Sequence, residues 1–248
     1  MEAGKAIMDI YHTDDFGVNI KTDKSPLTKA DIAAHNKIVA HLKKTGIPVL
    51  SEEGKDIPFA ERKNWKQLWI VDPLDGTKEF IKRNNEFTVN IALIENGIPV
   101  LGVVYAPALN ELYFAKKSLG AFKYSGDVEK VENLIIFAEK LPNGSRDGIY
   151  TVAASRSHMS LHTEHFIKQL ESEYGKVELI SKGSSLKLCM VAEGVVDCYP
   201  RFAPTMEWDT AAGQAICIYA GKDVVDYSTN KTMKYNKESL LNNWFVVK

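Results

Sequence analysis

The sequence predicts an α/β (α+β) fold, with an antiparallel sheet in the first half, a mixed and partly parallel sheet in the second, and helices covering both. Three observations carry this. Between residues 87 and 124, apolar residues alternate around an Asn96-Gly97 hairpin signal, the pattern of an antiparallel meander. After residue 150, short apolar runs alternate with helical stretches, the rhythm of strand–helix–strand units. Between the two, segment 125–147 is polar and carries Gly126, Pro142, Asn143 and Gly144, which puts a boundary there and divides the chain into 1–147 and 148–248.

The elements follow in order. Thr28-Lys29-Ala30-Asp31 opens a helix with Ile32, Val39 and Leu42 on one face, stopped by Gly46 and Pro48. Val49-Leu50 forms a short strand that delivers Ser51-Glu52-Glu53, and 69–71 is the next strand. It ends at Asp72-Pro73, because proline forbids helix continuation and holds the preceding residue extended, and Gly76 then allows a tight turn. Segment 87–94, with Val89, Ile91 and Leu93 alternating, returns through the hairpin into 98–104, and 112–115 and 121–124 complete the meander. The second half reads as strand 150–154, helix 160–173, strand 177–180 and helix 184–193 ended by Gly194. Strand 195–199, helix 210–219 ended by Gly221, and strands 224–225 and 244–247 follow.

Composition narrows the class. The 248 residues are 45% hydrophobic and 25% charged, ordinary globular proportions. A net charge of −1 gives no global attraction to a nucleic-acid polymer or an anionic membrane. No apolar run spans a bilayer, and the first eight residues lack the basic region and apolar core of a signal peptide. Cys189, Cys198 and Cys217 lie among apolar neighbours without CxxC spacing, which reads as reduced core cysteine. The expected location is the cytoplasm, with peripheral contact at the inner face of the membrane left open, and the expected state a monomer or a homodimer.

Chemistry concentrates in acidic residues at the ends of elements. Asp72-Pro73-Leu74-Asp75-Gly76-Thr77 projects two carboxylates from a strand end, with Glu52 and Glu53 after another and Asp209 at a helix start. Such oxygen donors suit Mg²⁺ rather than zinc. Each has a plainer reading: Asp209 as a helix cap, Asp31 as the partner of Thr28 in a capping box, Glu52 and Glu53 as a solvated turn. Without a cation, convergence would be costly, about 4 kcal/mol per pair at ~4 Å and an effective dielectric of about 20.

Asp72-Pro73-Leu74-Asp75-Gly76-Thr77, followed by Trp208-Asp209-x-Ala211-Ala212-Gly213, resembles the paired signature of the inositol monophosphatase superfamily, Mg²⁺-dependent and lithium-sensitive phosphomonoesterases. Ser51-Glu52-Glu53, Thr77-Lys78-Glu79-Phe80, Ser155-Arg156-Ser157-His158, Gly183-Ser184-Ser185-Leu186-Lys187 and Tyr199-Pro200-Arg201-Phe202 are similar to its 3'(2'),5'-bisphosphate nucleotidase branch. The resemblance implies the layered α/β/α/β/α sandwich of the sugar phosphatases. It also implies two or three Mg²⁺ ions, held by Glu52, Asp72, the Leu74 carbonyl, Asp75 and Asp209, with Glu53 aiding a third through water. Asp31, Thr77 and Glu52 would be catalytic, the Thr77–Asp31 pair orienting the attacking water. Asp75, Gly76, Thr77, Ser155, His158, Ser184, Lys187, Arg201 and Asp209 would contact the substrate. That substrate would be a small nucleotide bisphosphate, adenosine 3',5'-bisphosphate, hydrolysed to AMP and phosphate; inositol monophosphate or a related sugar phosphate is the alternative. The family's N-terminal helix usually runs longer before the equivalent of Ala3.

Metals fit the difficulty of the reaction. Enzymes accelerate phosphate-monoester hydrolysis by up to ~10²¹-fold, of which a positioned base supplies only about 10²–10⁴. Plainer readings compete here too: Ser184 and Ser185 as helix caps, Lys187 as a solvated helix charge. Two rival functions stand beside the phosphatase. His158, His162 and His165 recur at helical spacing and would hold zinc in a metal-binding module. A non-catalytic nucleotide sensor would keep Lys187 and Arg201 but need neither Thr77 nor Asp31.

Overall fold

The computed structural model describes residues 1–21, 25–144, 148–154 and 160–248. The first half runs α1 (Glu2–Tyr11), β1 (Asn19–Ile20), β2 (Pro26–Leu27), α2 (Lys29–Leu42), β3 (Val49–Ser51), α3 (Phe59–Arg62), β4 (Gln67–Asp75) and α4 (Thr77–Ile81). It continues through β5 (Thr88–Glu95), β6 (Ile98–Ala106), β7 (Glu111–Lys116), β8 (Gly120–Ser125), α5 (Leu134–Phe137) and β9 (Glu139–Lys140). The second half holds β10 (Tyr150–Ala154), α6 (Leu161–Tyr174), β11 (Val177–Ser181), α7 (Leu186–Glu193), β12 (Tyr199–Arg201), α8 (Glu207–Tyr219), β13 (Val224–Asp226), β14 (Lys231–Thr232) and β15 (Phe245–Val247).

Strands β3 to β9 form one seven-stranded sheet in sequence order. It is the expected antiparallel meander except at one edge, where β3 runs parallel to β4 because the chain crosses over through α3 before re-entering. In the second half β10 and β11 are parallel, and Val152 on β10 bridges in parallel to Cys198 just before β12. The remaining strands run in the order β12-β15-β13-β14 and all pair antiparallel, because the C-terminal strand inserts between β12 and β13.

Period-two alternation sorts side chains into layers. On β4, Ile70 joins the core between the two sheets, whereas Val71 faces α1 and α2. On β15, Phe245 and Val247 face that same central core, and Val246 faces α6. The layers are therefore α1/α2, the seven-stranded sheet, α7/α8, the second-half strands, and α6, an α/β/α/β/α arrangement. Helix α8 lies close against β6, and the approach is possible because residue 102 is glycine: a Cβ there would sit 2.5 Å from the Ala212 carbonyl oxygen. Among the described residues no helix is long and apolar enough to cross a membrane.

Several boundaries differ from the sequence expectations for local reasons. The strand expected at 69–71 continues through Pro73 to Asp75. The helix expected from 184 starts at Leu186, because Ser184 takes a left-handed conformation (φ 54°). The helix expected from 210 starts at Glu207, and the strand expected at 195–199 occupies Tyr199–Arg201. All three cysteines are free and buried.

Candidate active site

Residues three apart on a regular strand point to opposite faces. Asp72 and Asp75 escape this rule because β4 is bulged. Asp72 pairs with Asn90 and Asp75 with Thr88, so the register slips by one residue between them. The Asp72 carboxylate accepts from the Leu74 amide at 3.0 Å, which fixes the bulge from within. Asp209 arrives from the other half, in the first turn of α8, where its Oδ2 accepts from the Met206 amide at 2.8 Å. The capping role thus holds for Asp209, as the third residue of the helix rather than its cap.

One oxygen each from Asp72, Asp75 and Asp209 lies within 4.8 Å of the others, the only such group of metal-ligand type among the described residues. No ion pair compensates these carboxylates among the described residues. Asp72 is 1% exposed, and burial, reinforced by Glu52, Asp75 and Asp209, pushes its carboxyl well above the usual range. Burial, then the charge of Asp75, pushes Asp209 up to about 8. An oxygen-only donor set with crowded, uncompensated charge fits a hard divalent cation.

Glu52 departs from the expected four-carboxylate meeting. Its amide bonds the Val71 carbonyl at 3.1 Å, which sets it beside β4, but its side chain turns to Lys21. Lys21 Nζ lies 2.8 Å from Glu52 and 2.5 Å from Glu53, so both acids share one lysine instead of joining the three aspartates. Burial works against the Lys21 charge, but bonds and charges from the two glutamates outweigh it and hold its pKa above the ordinary lysine value. Sequence reading missed Lys21, since nothing in Asn19-Ile20-Lys21 signals that the β1–β2 hairpin would carry it to this point.

Asp31 satisfies two readings at once. Its Oδ2 closes the capping box, accepting from the Thr28 amide at 2.7 Å and the Thr28 hydroxyl at 2.6 Å. Its Oδ1 accepts from the Thr77 hydroxyl at 3.2 Å, which also lies 3.3 Å from the Leu74 carbonyl. Burial raises the Asp31 carboxyl, opposed mainly by the Thr28 bonds. Gly76 makes the turn into α4 with φ 88°, and a Cβ there would crowd the Glu86 carbonyl at 3.2 Å.

The Gly183-Ser184-Ser185 loop is used differently from a plain helix cap. The Ser185 side chain caps nothing; its hydroxyl bonds Asn90 Oδ1 at 2.8 Å, and its amide donates to Asp75. The Ser184 hydroxyl also goes to Asp75, at 2.6 Å. Lys187 is no solvated charge. It is 5% exposed and gives two of its three donors to the carbonyls of Lys182 and Ser184, with Nζ 5.4 Å from the Tyr199 ring centre. Burial lowers its pKa to about 8. Arg201 donates to the Pro204 carbonyl at 3.2 Å, and its Nε is buried with no partner among the described residues.

A cleft of about 330 Å³ collects these groups: Asp75, Gly76, Thr77, Ser184, Lys187, Arg201 and Asp209 line it, with Tyr199 and Phe245 as apolar walls. Carboxylates and cations thus line the same cleft. Ser155 and His158 lie outside the described residues. Of the zinc candidates, His162 packs its ring 4.5 Å from that of Trp244, on the outer helix α6.

The chain belongs to the inositol monophosphatase family, whose profile matches residues 1–246. It is 48% identical, over 99% of its length and 94% of the relative's, to the 3'(2'),5'-bisphosphate nucleotidase CysQ of Shigella flexneri. The corresponding protein of Escherichia coli K12 is 47% identical with the same coverage. Among solved structures, CysQ from Bacteroides thetaiotaomicron superposes with a TM-score of 0.92 at 52% identity, over 100% of this chain and 93% of that one. The Thermotoga maritima IMPase TM1415 gives 0.73 at 27% identity, over 99% and 87%. The acidic cluster suits the metal dependence general to this family, and the cleft suits a small phosphate-bearing molecule.

Proposed function

We propose that the chain is a Mg²⁺-dependent phosphomonoesterase that hydrolyses adenosine 3',5'-bisphosphate to AMP and phosphate. The observation that carries the reading is the presence of both charge types in one cleft: Asp75 and Asp209, which cluster with the buried Asp72 and are uncompensated by any ion pair among the described residues, line it together with Lys187 and Arg201. A bisphosphate needs both, a cation-loaded seat for the phosphate that leaves and fixed cations for the one that stays. The curated relatives at 47–48% identity carry the nucleotidase name, whereas the inositol monophosphatase structure is similar at 27%, which favours the nucleotide over inositol phosphate.

Asp72, Asp75 and Asp209, with the Leu74 carbonyl and Glu52 once it leaves Lys21, would hold two or three Mg²⁺ ions. Bound there, the ions would acidify a water and offset charge developing on the phosphate. Thr77 donates its hydroxyl proton to Asp31 Oδ1, a carboxylate itself oriented by Thr28, which leaves the hydroxyl oxygen free to accept a proton from the attacking water and so to orient it. No phosphoenzyme is needed. The first half thus supplies most metal ligands, and 148–248 supplies Asp209 and the cations for the substrate. Lithium sensitivity belongs to the same proposal.

Phosphate release measured side by side from adenosine 3',5'-bisphosphate, its phosphosulfate analogue and inositol monophosphate tests the reading. The bisphosphate is expected to lead by kcat/KM, and a lead for inositol monophosphate would overturn the substrate assignment. Lys187→Met is expected to raise KM for the bisphosphate roughly 10–100-fold with kcat nearly unchanged, the loss of one charged hydrogen bond made equally in ground and transition states. An unchanged KM would remove Lys187 from the substrate contacts.

A further inference from the structure

Asp75 has two carboxylate oxygens, and one is fully engaged. Its Oδ2 accepts from the Ser184 hydroxyl at 2.6 Å, the Ser185 amide at 2.7 Å and Asn90 Nδ2 at 3.4 Å. No hydrogen bond among the described residues reaches its Oδ1. The donors are themselves locked. Asn90, 1% exposed, accepts at Oδ1 from the Thr88 hydroxyl at 3.0 Å and the Ser185 hydroxyl at 2.8 Å. Thr88, fully buried, lies 2.5 Å from the Ser184 hydroxyl and 2.9 Å from that of Ser185.

The proton arithmetic gives this network one direction. A carboxylate only accepts, so the Asn90 amide must turn its NH₂ to Asp75 and its oxygen to the hydroxyls. Ser184 spends its single proton on Asp75 and Ser185 spends its own on Asn90. Thr88 then supplies the remaining proton from behind. Strand pairing brings both residues here, since Asn90 stands opposite Asp72 and Thr88 opposite Asp75.

We infer that Asn90 and Thr88 are positioning residues that set which cation the carboxylate cluster takes. By holding Asp75 Oδ2 they leave the carboxylate one oxygen to offer. A small ion with strict octahedral demands, such as Mg²⁺, is satisfied by one oxygen per carboxylate, whereas Ca²⁺ gains from two-oxygen contacts and higher coordination. The network therefore raises the preference for Mg²⁺ over Ca²⁺. This rests on the metal-dependent reading above.

Isothermal titration of the substrate-free protein with Mg²⁺ and, separately, with Ca²⁺ tests it, using wild type, Asn90→Ala, Thr88→Val and Thr88→Ser. Removing outer partners of metal ligands costs about 10–100-fold in affinity. Asn90→Ala and Thr88→Val are expected to weaken Mg²⁺ at least roughly tenfold while Ca²⁺ affinity holds or rises, and Thr88→Ser, which keeps the hydroxyl, is expected to retain the wild-type ratio. Equal weakening of both ions would mean a merely structural role and overturn the inference, as would unchanged Mg²⁺ binding. Thr88→Val, which exchanges a hydroxyl for a methyl of the same shape, decides the matter if Asn90→Ala fails to fold. Wild type that binds neither ion would sink the metal reading itself, while variants that match a Mg²⁺-binding wild type would sink only the role of this network.

Discussion

Asp75→Asn is expected to reduce phosphate release from adenosine 3',5'-bisphosphate by at least about 10³-fold, more than the loss of an outer partner costs. The substitution keeps the shape of the side chain. An amide oxygen can still accept from Ser184 and the Ser185 amide, so the loop ahead of α7 should hold. What disappears is one charge from a group of three whose oxygens lie within 4.8 Å. The same change should leave the metal-free protein at or above wild-type melting temperature at pH 8, because it relieves repulsion that no ion pair among the described residues offsets. A dead enzyme with unimpaired stability is the expected pairing. Wild-type rates would overturn the placement of Asp75 at the chemistry, and a large drop in melting temperature would mean that the residue acts as structure.

Metal-free protein is expected to lose stability as pH rises from 5 to 8, and excess Mg²⁺ is expected to restore it. The sign follows from linkage. Asp72 and Asp209 have folded-state pKa values raised above 3.8, the latter to about 8, chiefly through burial. Between about pH 4 and 8 the folded chain therefore holds protons that the unfolded chain has released, and stability falls as pH climbs through that window. Below about pH 4 both states are protonated and the contribution is fully present. The expected loss is on the order of 10 °C in melting temperature for a chain of this size. A bound cation stabilises the ionised carboxylates instead, so the gap between melting curves with Mg²⁺ and with a chelator should widen steadily from pH 5 to pH 8. Curves that stay parallel would show that these aspartates are not what the cation meets.

Much of this was legible in the chain because it rests on local signals. The meander was readable from the alternation of Val89, Ile91 and Leu93 and from Asn96-Gly97, both of which describe neighbours in sequence. The second-half strands were found except β14, but not the antiparallel order of the last four, since β15 inserts between β12 and β13 from the far end of the chain and no local residue encodes that choice. The candidate metal ligands Asp72, Asp75 and Asp209 were legible from their odd company of Pro73, Gly76 and Trp208. Their meeting depends on a register slip in β4 that a period-two reading denies. Glu52 was expected with them and turns to Lys21 instead, a contact set by a hairpin of two-residue strands too short to announce itself. Thr88 and Asn90 were invisible as site residues because, read along the strand, they are merely the polar members of a buried run; their partners beyond the strand come from Asp75 on the facing strand and from the distant Ser184-Ser185 loop.

The bare backbone at residue 102 has a reach beyond its own position. Helix α8 rests on that strand through Ala212 and Ala215, and Asp209 rides on the same rigid rod one turn earlier. The gap between acids contributed by separate halves is thereby gauged at a spot with no charge and no polar side chain. Tolerance for change in this enzyme should accordingly be poorest along a quiet seam of glycine and alanine, where a single added methyl would shift the rod and pull the carboxylates out of reach of one another.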